Sequence, residues 1–265
     1  MDIKTNNQKM KVILVLSGKG GVGKSTVSAN LAATLAQKGY KTGLLDVDIH
    51  GPSIPTLFGI DNVRPEIRDN KIIPYSYDNN LKIVSTAFFI DNQESPIIFR
   101  GPKKSGMIQQ FIKEVDWGDL DYLVIDAPPG TGDEPLTVIQ TFDSIHGAVV
   151  VTTPQKMATV DVQKSVNFLK TLNVPIIGVI ENMSGFVCPH CQKTTEIFKL
   201  DGGKNLCEQM NIPFLGKIPL DPQVVDCSDK GRPFMLSINI NDINTTNTPQ
   251  YIKDFKKIID SILSF

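Results

Sequence analysis

The chain has 265 residues, of which 41% are hydrophobic and 21% charged, and its formal net charge is −1. This balance predicts a globular protein, and a charge near zero provides no field that would favour nucleic acid or an acidic lipid surface. No apolar run reaches the ~18 residues that a membrane-spanning helix needs, and residues 1–9 lack the apolar core of a signal peptide. We therefore expect a cytoplasmic protein with a flexible N-terminus over 1–9, no nucleic-acid partner and no stable membrane association.

Apolar runs of strand length alternate with helix-forming stretches along the chain. The predicted strands cover 11–16, Thr42–Asp46, Leu81–Ser85, Tyr122–Asp126, Gly147–Thr152, Ile176–Ile180 and Phe214–Lys217. The predicted helices cover Ser25–Gln37, Ser105–Val115, Pro135–Phe142, Ala158–Leu172, Gly203–Met210 and Gln250–Leu263. Several strands are continuous apolar runs, which is typical of a parallel sheet covered on both faces. The pattern predicts one α/β domain over 1–265, a doubly wound, mostly parallel sheet with helices on both faces. Residues 60–80, 86–100 and 238–248 show no clear periodicity.

A glycine-rich loop follows the first strand and leads directly into the first helix. It matches the phosphate-loop pattern, and its residues are Gly18, Lys19, Gly20, Gly21, Val22, Gly23, Lys24, Ser25 and Thr26. Without Cβ atoms its glycines let the backbone approach phosphates closely, and the N–H groups at the helix N-terminus form an anion nest. Lys24 can reach the β and γ phosphates, and the Ser25 hydroxyl can ligate Mg²⁺. The pattern therefore predicts a P-loop NTPase with a Rossmann-like, three-layer fold.

Lys19 is a second lysine in the loop, directly after its first glycine. A side chain at this position does not fold back easily onto phosphates that its own backbone cradles. It is either a solvated surface lysine or a charge that reaches the nucleotide of a second subunit, as an arginine finger does. The residues alone leave both interpretations open.

Aspartates lie at the ends of two predicted strands, at the edge of the sheet where ligands of open parallel sheets bind. Asp126 ends an apolar strand and is suited to hold Mg²⁺ directly or through water. Asp46 and Asp48 follow the second strand, and Asp48 could orient the water that attacks the γ phosphate. The alternative for each aspartate is an ordinary cap or turn residue at a strand end.

Cys188 and Cys191 form a C-x-x-C pair in a predicted loop over 184–200. One chain supplies two thiolates here, whereas a closed tetrahedral site needs four, so a symmetric dimer would complete it. Four thiolates suit Zn²⁺ or an iron–sulfur cluster, and spacing does not choose between them. A redox dithiol and an incidental pair are the alternatives. Cys207 and Cys227 are interpreted as isolated structural thiols.

Further motifs occur in order over about residues 10–233. They are Asp46-Val-Asp-Ile-His-Gly-Pro-Ser53, Arg100-Gly-Pro102, Val115-Asp-Trp-Gly-Asp-Leu-Asp-Tyr122, Asp126-Ala-Pro-Pro-Gly-Thr-Gly-Asp133 and Glu181-Asn-Met-Ser184. Together with the two-lysine loop and the cysteine pair, they resemble the Mrp/ApbC iron–sulfur cluster carriers. This group is similar to the deviant Walker A ATPases, which include MinD, ParA and the nitrogenase iron protein.

The resemblance implies an ATPase that works as a homodimer with Mg²⁺. It implies that Cys188 and Cys191 hold a [4Fe-4S] cluster between the subunits, with Zn²⁺ as the alternative metal. The expected partners are a second copy of the chain, a cluster-assembly scaffold and apo iron–sulfur proteins that receive the cluster.

The resemblance also implies roles for individual residues around the nucleotide. Lys19 would contact the partner's nucleotide, so that Lys19, Lys24 and Asp48 form the expected catalytic set. Ser25, Asp48 and Asp126 would surround Mg²⁺. The adenine contacts would be Asn182, with Pro219 and Asp221 near the base.

The alternative is a spatial-organising ATPase of the MinD or ParA kind, which would associate with membrane through its C-terminal helix. Residues 250–265 are amphipathic, with one apolar face that contains Ile252, Phe255, Ile259, Ile262 and Leu263. The competing interpretation is that this face packs on the sheet, since Asp254 and Asp260 are mixed into the polar face.

Overall fold

The computed structural model describes residues 10–49, 51–89, 101–188, 191, 193–243 and 248–265, with backbone only at 101–104, 156–157 and 159. The predicted flexible segment 1–9 lies outside the described residues. The strands are β1 Lys11–Ser17, β2 Thr42–Asp46, β3 Glu66–Arg68, β4 Lys71–Ile73, β5 Tyr75–Ser76, β6 Leu81–Ser85, β7 Tyr122–Asp126, β8 Gly147–Thr152, β9 Ile176–Glu181, β10 Phe186–Val187, β11 Thr194–Thr195 and β12 Phe214–Lys217. The helices are α1 Lys24–Gln37, α2 Ile54–Phe58, α3 Gly101–Glu114, α4 Asp133–Thr141, α5 Lys156–Thr171, α6 Gly202–Met210, α7 Pro222–Asp229 and α8 Gln250–Leu263.

Eight of the strands form one sheet in the order β12-β9-β8-β1-β7-β2-β6-β5. All neighbouring pairs are parallel except β5 with β6 at one edge, where the pairing is antiparallel. Strand β1 lies in the middle, between β7 and β8, so the chain order reverses beside it. This reversal opens a crevice at the carboxyl ends of β1, β7 and β2, which is where such sheets bind ligands.

Alternate side chains of the central strands enter two separate cores, one on each face of the sheet. On β1, Ile13 and Val15 pack with residues of α1 and α8, whereas Val12, Leu14 and Leu16 pack with residues of α3 to α6. Both faces of the sheet are therefore shielded from water, which explains why the strands are continuous apolar runs. The predicted three-layer α/β fold is confirmed.

Some boundaries and elements differ from the sequence prediction. Helix α3 begins at Gly101 rather than Ser105, because a proline in the first helical turn does not interrupt the hydrogen-bond ladder. Two short helices, α2 and α7, were not predicted. Both contain a proline in the first turn. Helix α2 has only five residues, too few to establish a helical period, and α7 has no fully buried side chain. Strands β3, β4 and β5 lie in the region 60–80 that had no clear pattern.

The C-terminal helix α8 packs against the protein with its apolar face. Its buried side chains are Tyr251, Ile252, Phe255, Ile258, Ile259 and Ile262. Burial of each large apolar side chain stabilises a fold by about 1.5–3 kcal/mol, so withdrawing this face to insert it in a membrane would carry a large cost. Within the described part of the chain, no helix combines the length and the apolarity needed to cross a bilayer.

Candidate functional site

The phosphate loop connects β1 to α1 and has a backbone that glycine makes possible. Gly21 and Gly23 have φ of 77° and 84°, in the left-handed region that L side chains rarely adopt. Gly18 is required for a different reason. A Cβ at this position would lie 2.5 Å from the backbone carbonyl carbon of Asp161 on α5, so no side chain fits. The loop is thus held between the start of α1 and the flank of α5.

Lys24 and Ser25, the first residues of α1, converge on a carboxylate from β7. The Lys24 ammonium lies 2.8 Å from Asp126 Oδ1, and the Ser25 hydroxyl donates to Asp126 Oδ2 at 2.6 Å. A third donor is the Ser28 hydroxyl, 2.7 Å from Asp126 Oδ1. Asp126 is fully buried, so these three donors compensate for the water that its charge has lost.

Asp46 is a second buried carboxylate, opposite Asp126 in the register between β2 and β7. It accepts hydrogen bonds from the Asp48 backbone N–H at 3.1 Å and the Ser85 hydroxyl at 2.9 Å. Burial and the neighbouring Asp126 charge nevertheless raise the pKa of Asp46 from 3.8 to about 8, against the opposing effect of Lys24. Near neutral pH Asp46 is therefore held largely as the carboxylic acid.

Asp48 lies at the entrance of this cluster. Its Oδ2 is 3.9 Å from Lys24 Nζ, and its Oδ1 accepts a hydrogen bond from the Gly51 N–H at 3.3 Å. A cleft of about 440 Å³ opens above the loop, lined by Ser17, Gly20, Gly21, Gly23, Lys24, Ser25, Thr26, Asp48, Gly51, Ser53, Leu57 and Pro129. Six of the nine predicted loop residues therefore share one concave surface with Asp48, whereas Gly18, Lys19 and Val22 do not line it.

The donor set at the bottom of the cleft fits Mg²⁺. The Ser25 hydroxyl and the carboxylates of Asp48 and Asp126 are hard oxygen ligands, and the first and last are already in contact. Bound there, the ion would neutralise phosphate charge. The chain itself contributes Lys24, whose ammonium lies beside the same oxygens.

The raised pKa of Asp46 makes a prediction for stability. The folded protein keeps this proton at pH values where the unfolded chain has lost it, so the free energy of unfolding falls as pH rises from about 4 to about 8. Asp46→Asn removes this dependence, and the variant should gain stability relative to wild type between about pH 5 and pH 9 in urea unfolding. Asp61→Asn, on a half-buried carboxylate that accepts a hydrogen bond from Thr56, is the control. If the difference in free energy of unfolding between wild type and Asp46→Asn is constant with pH, the raised pKa of Asp46 is contradicted.

Lys19 points away from the cluster that holds Lys24. The residue is half-buried, and its ammonium lies 3.5 Å from Oε1 of Gln155, the residue that precedes α5. Its backbone carbonyl accepts a hydrogen bond from Ser17 Oγ at 2.9 Å, which fixes the loop at this position. A half-buried lysine beside Gln155 is compatible with either interpretation.

The three predicted adenine contacts, Asn182, Pro219 and Asp221, lie in different structural elements. Asn182 follows β9, and its side-chain amide donates to the Val22 carbonyl of the phosphate loop at 2.8 Å. It also contacts Gly23, where a Cβ would collide with it. Asp221 caps α7 by accepting from the Gln223 N–H at 2.8 Å, and Pro219 lies in the segment between β12 and α7.

The cysteine pair lies between the two short strands of a β-hairpin, within the predicted loop over 184–200. Strands β10 and β11 are antiparallel, and the Cys188 N–H donates to the Lys193 carbonyl at 3.0 Å. Cys188 is half-buried, whereas Cys191 is exposed. Among the described residues, no group of three or more His, Cys, Asp or Glu side chains converges as a metal site.

The other two cysteines occupy packed positions. Cys207 is buried on α6, where desolvation and the nearby Glu181 and Glu208 raise the pKa of its thiol to about 12. Such a thiol is unreactive near neutral pH. Cys227 lies on α7, half-buried against the core that contains α1 and α8. These positions fit the interpretation of both as structural thiols.

Sequence reasoning did not assign two residues that complete these sites. Ser28 contacts Asp126 because it lies one helical turn after Lys24, a signal that the spacing i, i+4 could have provided. Glu181 was part of a recognised motif without a role. Its carboxylate is fully buried at the end of β9 and accepts hydrogen bonds from residues on both sides of the cysteine hairpin.

Comparison with known proteins places this geometry in a family. The model of the ParA family, described as NUBPL iron-transfer P-loop NTPase, matches residues 8–262. An iron-sulfur cluster carrier protein of Methanocaldococcus jannaschii is 46% identical over 98% of this chain and 88% of that protein. The cytosolic Fe-S cluster assembly factor CFD1 of Kluyveromyces lactis is 47% identical over 96% of this chain and 90% of its own. A nucleotide-binding protein of Archaeoglobus fulgidus, solved with ADP and with Co found, is 40% identical, with a TM-score of 0.74 over 85% of this chain and 88% of its own.

Proposed function

The chain belongs to the ParA family of NUBPL-type iron-transfer P-loop NTPases, and from this membership we propose that it is an ATP-dependent iron–sulfur cluster carrier. It binds and hydrolyses ATP as a homodimer and holds a [4Fe-4S] cluster between its two subunits. It receives that cluster from an assembly scaffold and transfers it to apo iron–sulfur proteins. The names of the relatives support this reading, and the word cytosolic in the name of the yeast relative supports a cytoplasmic location.

The phosphate loop and the strand ends supply the residues for ATP hydrolysis. The backbone N–H groups of Gly20 to Thr26 and the Lys24 ammonium bind the phosphates, while Ser25 and Asp126 hold Mg²⁺. Asp48 accepts a hydrogen bond from the attacking water, and Lys19 of the second subunit balances the charge that develops during transfer. Asn182 joins the loop to the base side of the nucleotide, with Pro219 and Asp221 nearby.

The observation that carries the proposal is the cysteine hairpin. The two thiols beside the paired strands β10 and β11 are half of a four-thiolate set, and a symmetric pair of chains would supply the other half. The second copy is also what Lys19 needs, since its ammonium lies outside its own phosphate cluster. Two chemically independent features thus favour the same dimer.

The test is anaerobic reconstitution with iron and sulfide, followed by iron analysis and a visible spectrum. Wild type should take up about two iron atoms per chain, as expected for one [4Fe-4S] cluster per dimer, whereas Cys188→Ala should take up almost none. Cys227→Ala is the matched control, since this thiol lies on α7 outside the hairpin, and it should load like wild type. Negligible iron on wild type would overturn the proposal. Bound zinc in a protein that lacks a thiolate-to-iron absorption band would indicate a Zn²⁺ site instead of a cluster.

The alternative, a membrane-associated spatial organiser, loses the feature that suggested it. The apolar face of α8 is buried against the sheet and adjoining turns rather than presented to a lipid surface. We therefore do not propose a membrane partner, and the near-neutral net charge gives no support to a nucleic-acid partner.

A further inference from the structure

Glu181 is a buried carboxylate to which the proposed hydrolysis assigns no role. It ends β9, is fully buried, and accepts three hydrogen bonds: from Ser184 Oγ at 2.6 Å, from the Gly203 N–H at 2.6 Å and from the Asp201 N–H at 3.3 Å. Ser184 precedes the cysteine hairpin, and Asp201 follows it. One side chain therefore ties together the two ends of the segment that presents the cysteines.

The Glu181 carboxylate lies very close to the first turn of α6. Gly203 lies in the first turn of α6, and a Cβ there would lie 3.2 Å from Glu181 Oε2. The helix N-terminus offers N–H groups and a partial positive charge, so the carboxylate is stabilised without a cation. A second anchor holds the same end of the hairpin, since Lys217 on β12 forms an ion pair with Asp201 at 2.7 Å.

The neighbouring residue faces the other site. Asn182 donates from its side chain to the Val22 carbonyl of the phosphate loop and lies against Gly23. Its backbone N–H donates to Thr152 on β8 at 2.8 Å, which fixes the turn to the sheet. Two consecutive side chains at one strand end thus contact the phosphate loop and the base of the cysteine hairpin.

We infer that Glu181 is a positioning residue that couples the phosphate loop to the cysteine hairpin. The inference rests on the proposed function, which gives the loop its nucleotide and the hairpin its cluster. When the loop closes on phosphates, the position of Asn182 changes with it. Because the Glu181 carboxylate is locked to both ends of the hairpin, the change reaches Cys188 and Cys191 instead of being absorbed in a flexible connection.

The test measures thiol reactivity in the apo-protein, so it needs no cluster. The alkylation rates of Cys188 and Cys191 are followed by mass spectrometry, with and without Mg²⁺ and a non-hydrolysable ATP analogue. Wild type should show a nucleotide-dependent change of about fivefold or more, the lower range of measured site-to-site couplings. In Glu181→Gln the change should fall below about twofold, while the affinity for the analogue stays within about twofold of wild type.

Two thiols serve as internal references. The half-buried Cys227 lies outside the hairpin and should react alike in all samples, and the buried Cys207 should stay unreactive unless the variant unfolds. If Glu181→Gln unfolds, Ser184→Ala removes one of the three hydrogen bonds and should weaken the response. Ser184→Thr keeps the hydroxyl and should restore it, which a purely structural role would not require.

The outcomes separate this inference from the proposed function. A full nucleotide response in both Glu181→Gln and Ser184→Ala, or no response in wild type that binds the analogue, would overturn the coupling role. Failure of wild type to take up iron would instead overturn the cluster-carrier function, since the alkylation assay uses no iron.

Discussion

Asp48→Ala should abolish ATP turnover while leaving ATP binding nearly intact. Asp48 lines the cleft, but its Oδ2 lies 3.9 Å from the Lys24 ammonium, whereas the 2.8 Å contact of Lys24 is with Asp126. Removing the Asp48 carboxylate therefore leaves the phosphate-binding residues in place. A positioned proton acceptor contributes about 10²- to 10⁴-fold to a rate, so kcat should fall by that factor while the Kd for ATP changes by less than about threefold.

Asp48→Asn separates geometry from charge. The amide is close in shape and can still accept a hydrogen bond from the Gly51 N–H, but it is a far weaker proton acceptor. It should be as slow as Asp48→Ala in single-turnover hydrolysis. Asp61→Ala is the control, because the Asp61 carboxylate accepts a hydrogen bond from Thr56 and does not line the cleft. This variant should keep normal turnover. Turnover of Asp48→Ala within a few-fold of wild type would remove Asp48 from the hydrolytic step.

The sheet could be predicted closely because burial on both faces leaves a direct mark on the sequence. Strands such as Thr42–Asp46, Tyr122–Asp126 and Gly147–Thr152 have the predicted bounds, since each apolar run ends where the chain leaves the core. The short helix α7 leaves no such mark. It is specified by the cap of Asp221 and a proline at its start, and its apolar residues Val224 and Cys227 are only partly buried.

The candidate site was predictable only where a strand end meets the phosphate loop. The placement of Asp126 near Lys24 follows from the rule that parallel strands end at the same edge. The role of Gly18 did not follow, because its constraint is the backbone of Asp161 on a helix far along the chain. The hydrogen bonds of Glu181 were hidden for a similar reason. They join a strand end to a helix start 22 residues later, across the predicted loop over 184–200, and no local sequence pattern indicates which residues meet across it.

Lys19→Ala should lose hydrolysis if, as proposed, the active site of each subunit depends on the lysine of its partner. The Lys19 ammonium lies at the rim beside Gln155, outside the cluster that Lys24 forms with Asp126. Charges supplied in trans to phosphoryl transfer contribute about 10³- to 10⁵-fold, so the homodimeric variant should be nearly inactive while still binding ATP. Lys19→Arg preserves the charge and is the conservative comparison.

Mixing Lys19→Ala with Asp48→Ala subunits distinguishes action across the interface from action within one chain. In a mixed dimer, the subunit with intact Asp48 receives Lys19 from its partner, so one of two sites is complete. Random pairing at equal concentrations makes about half of the dimers mixed, and activity should recover to about a quarter of wild type. If Lys19 acts within its own chain, no site in the mixture holds both residues and activity stays at the level of the separate variants. Recovery would place the catalytic lysine on the partner subunit, as the proposed dimer requires, because only a site built from two chains can then hold both Lys19 and Asp48.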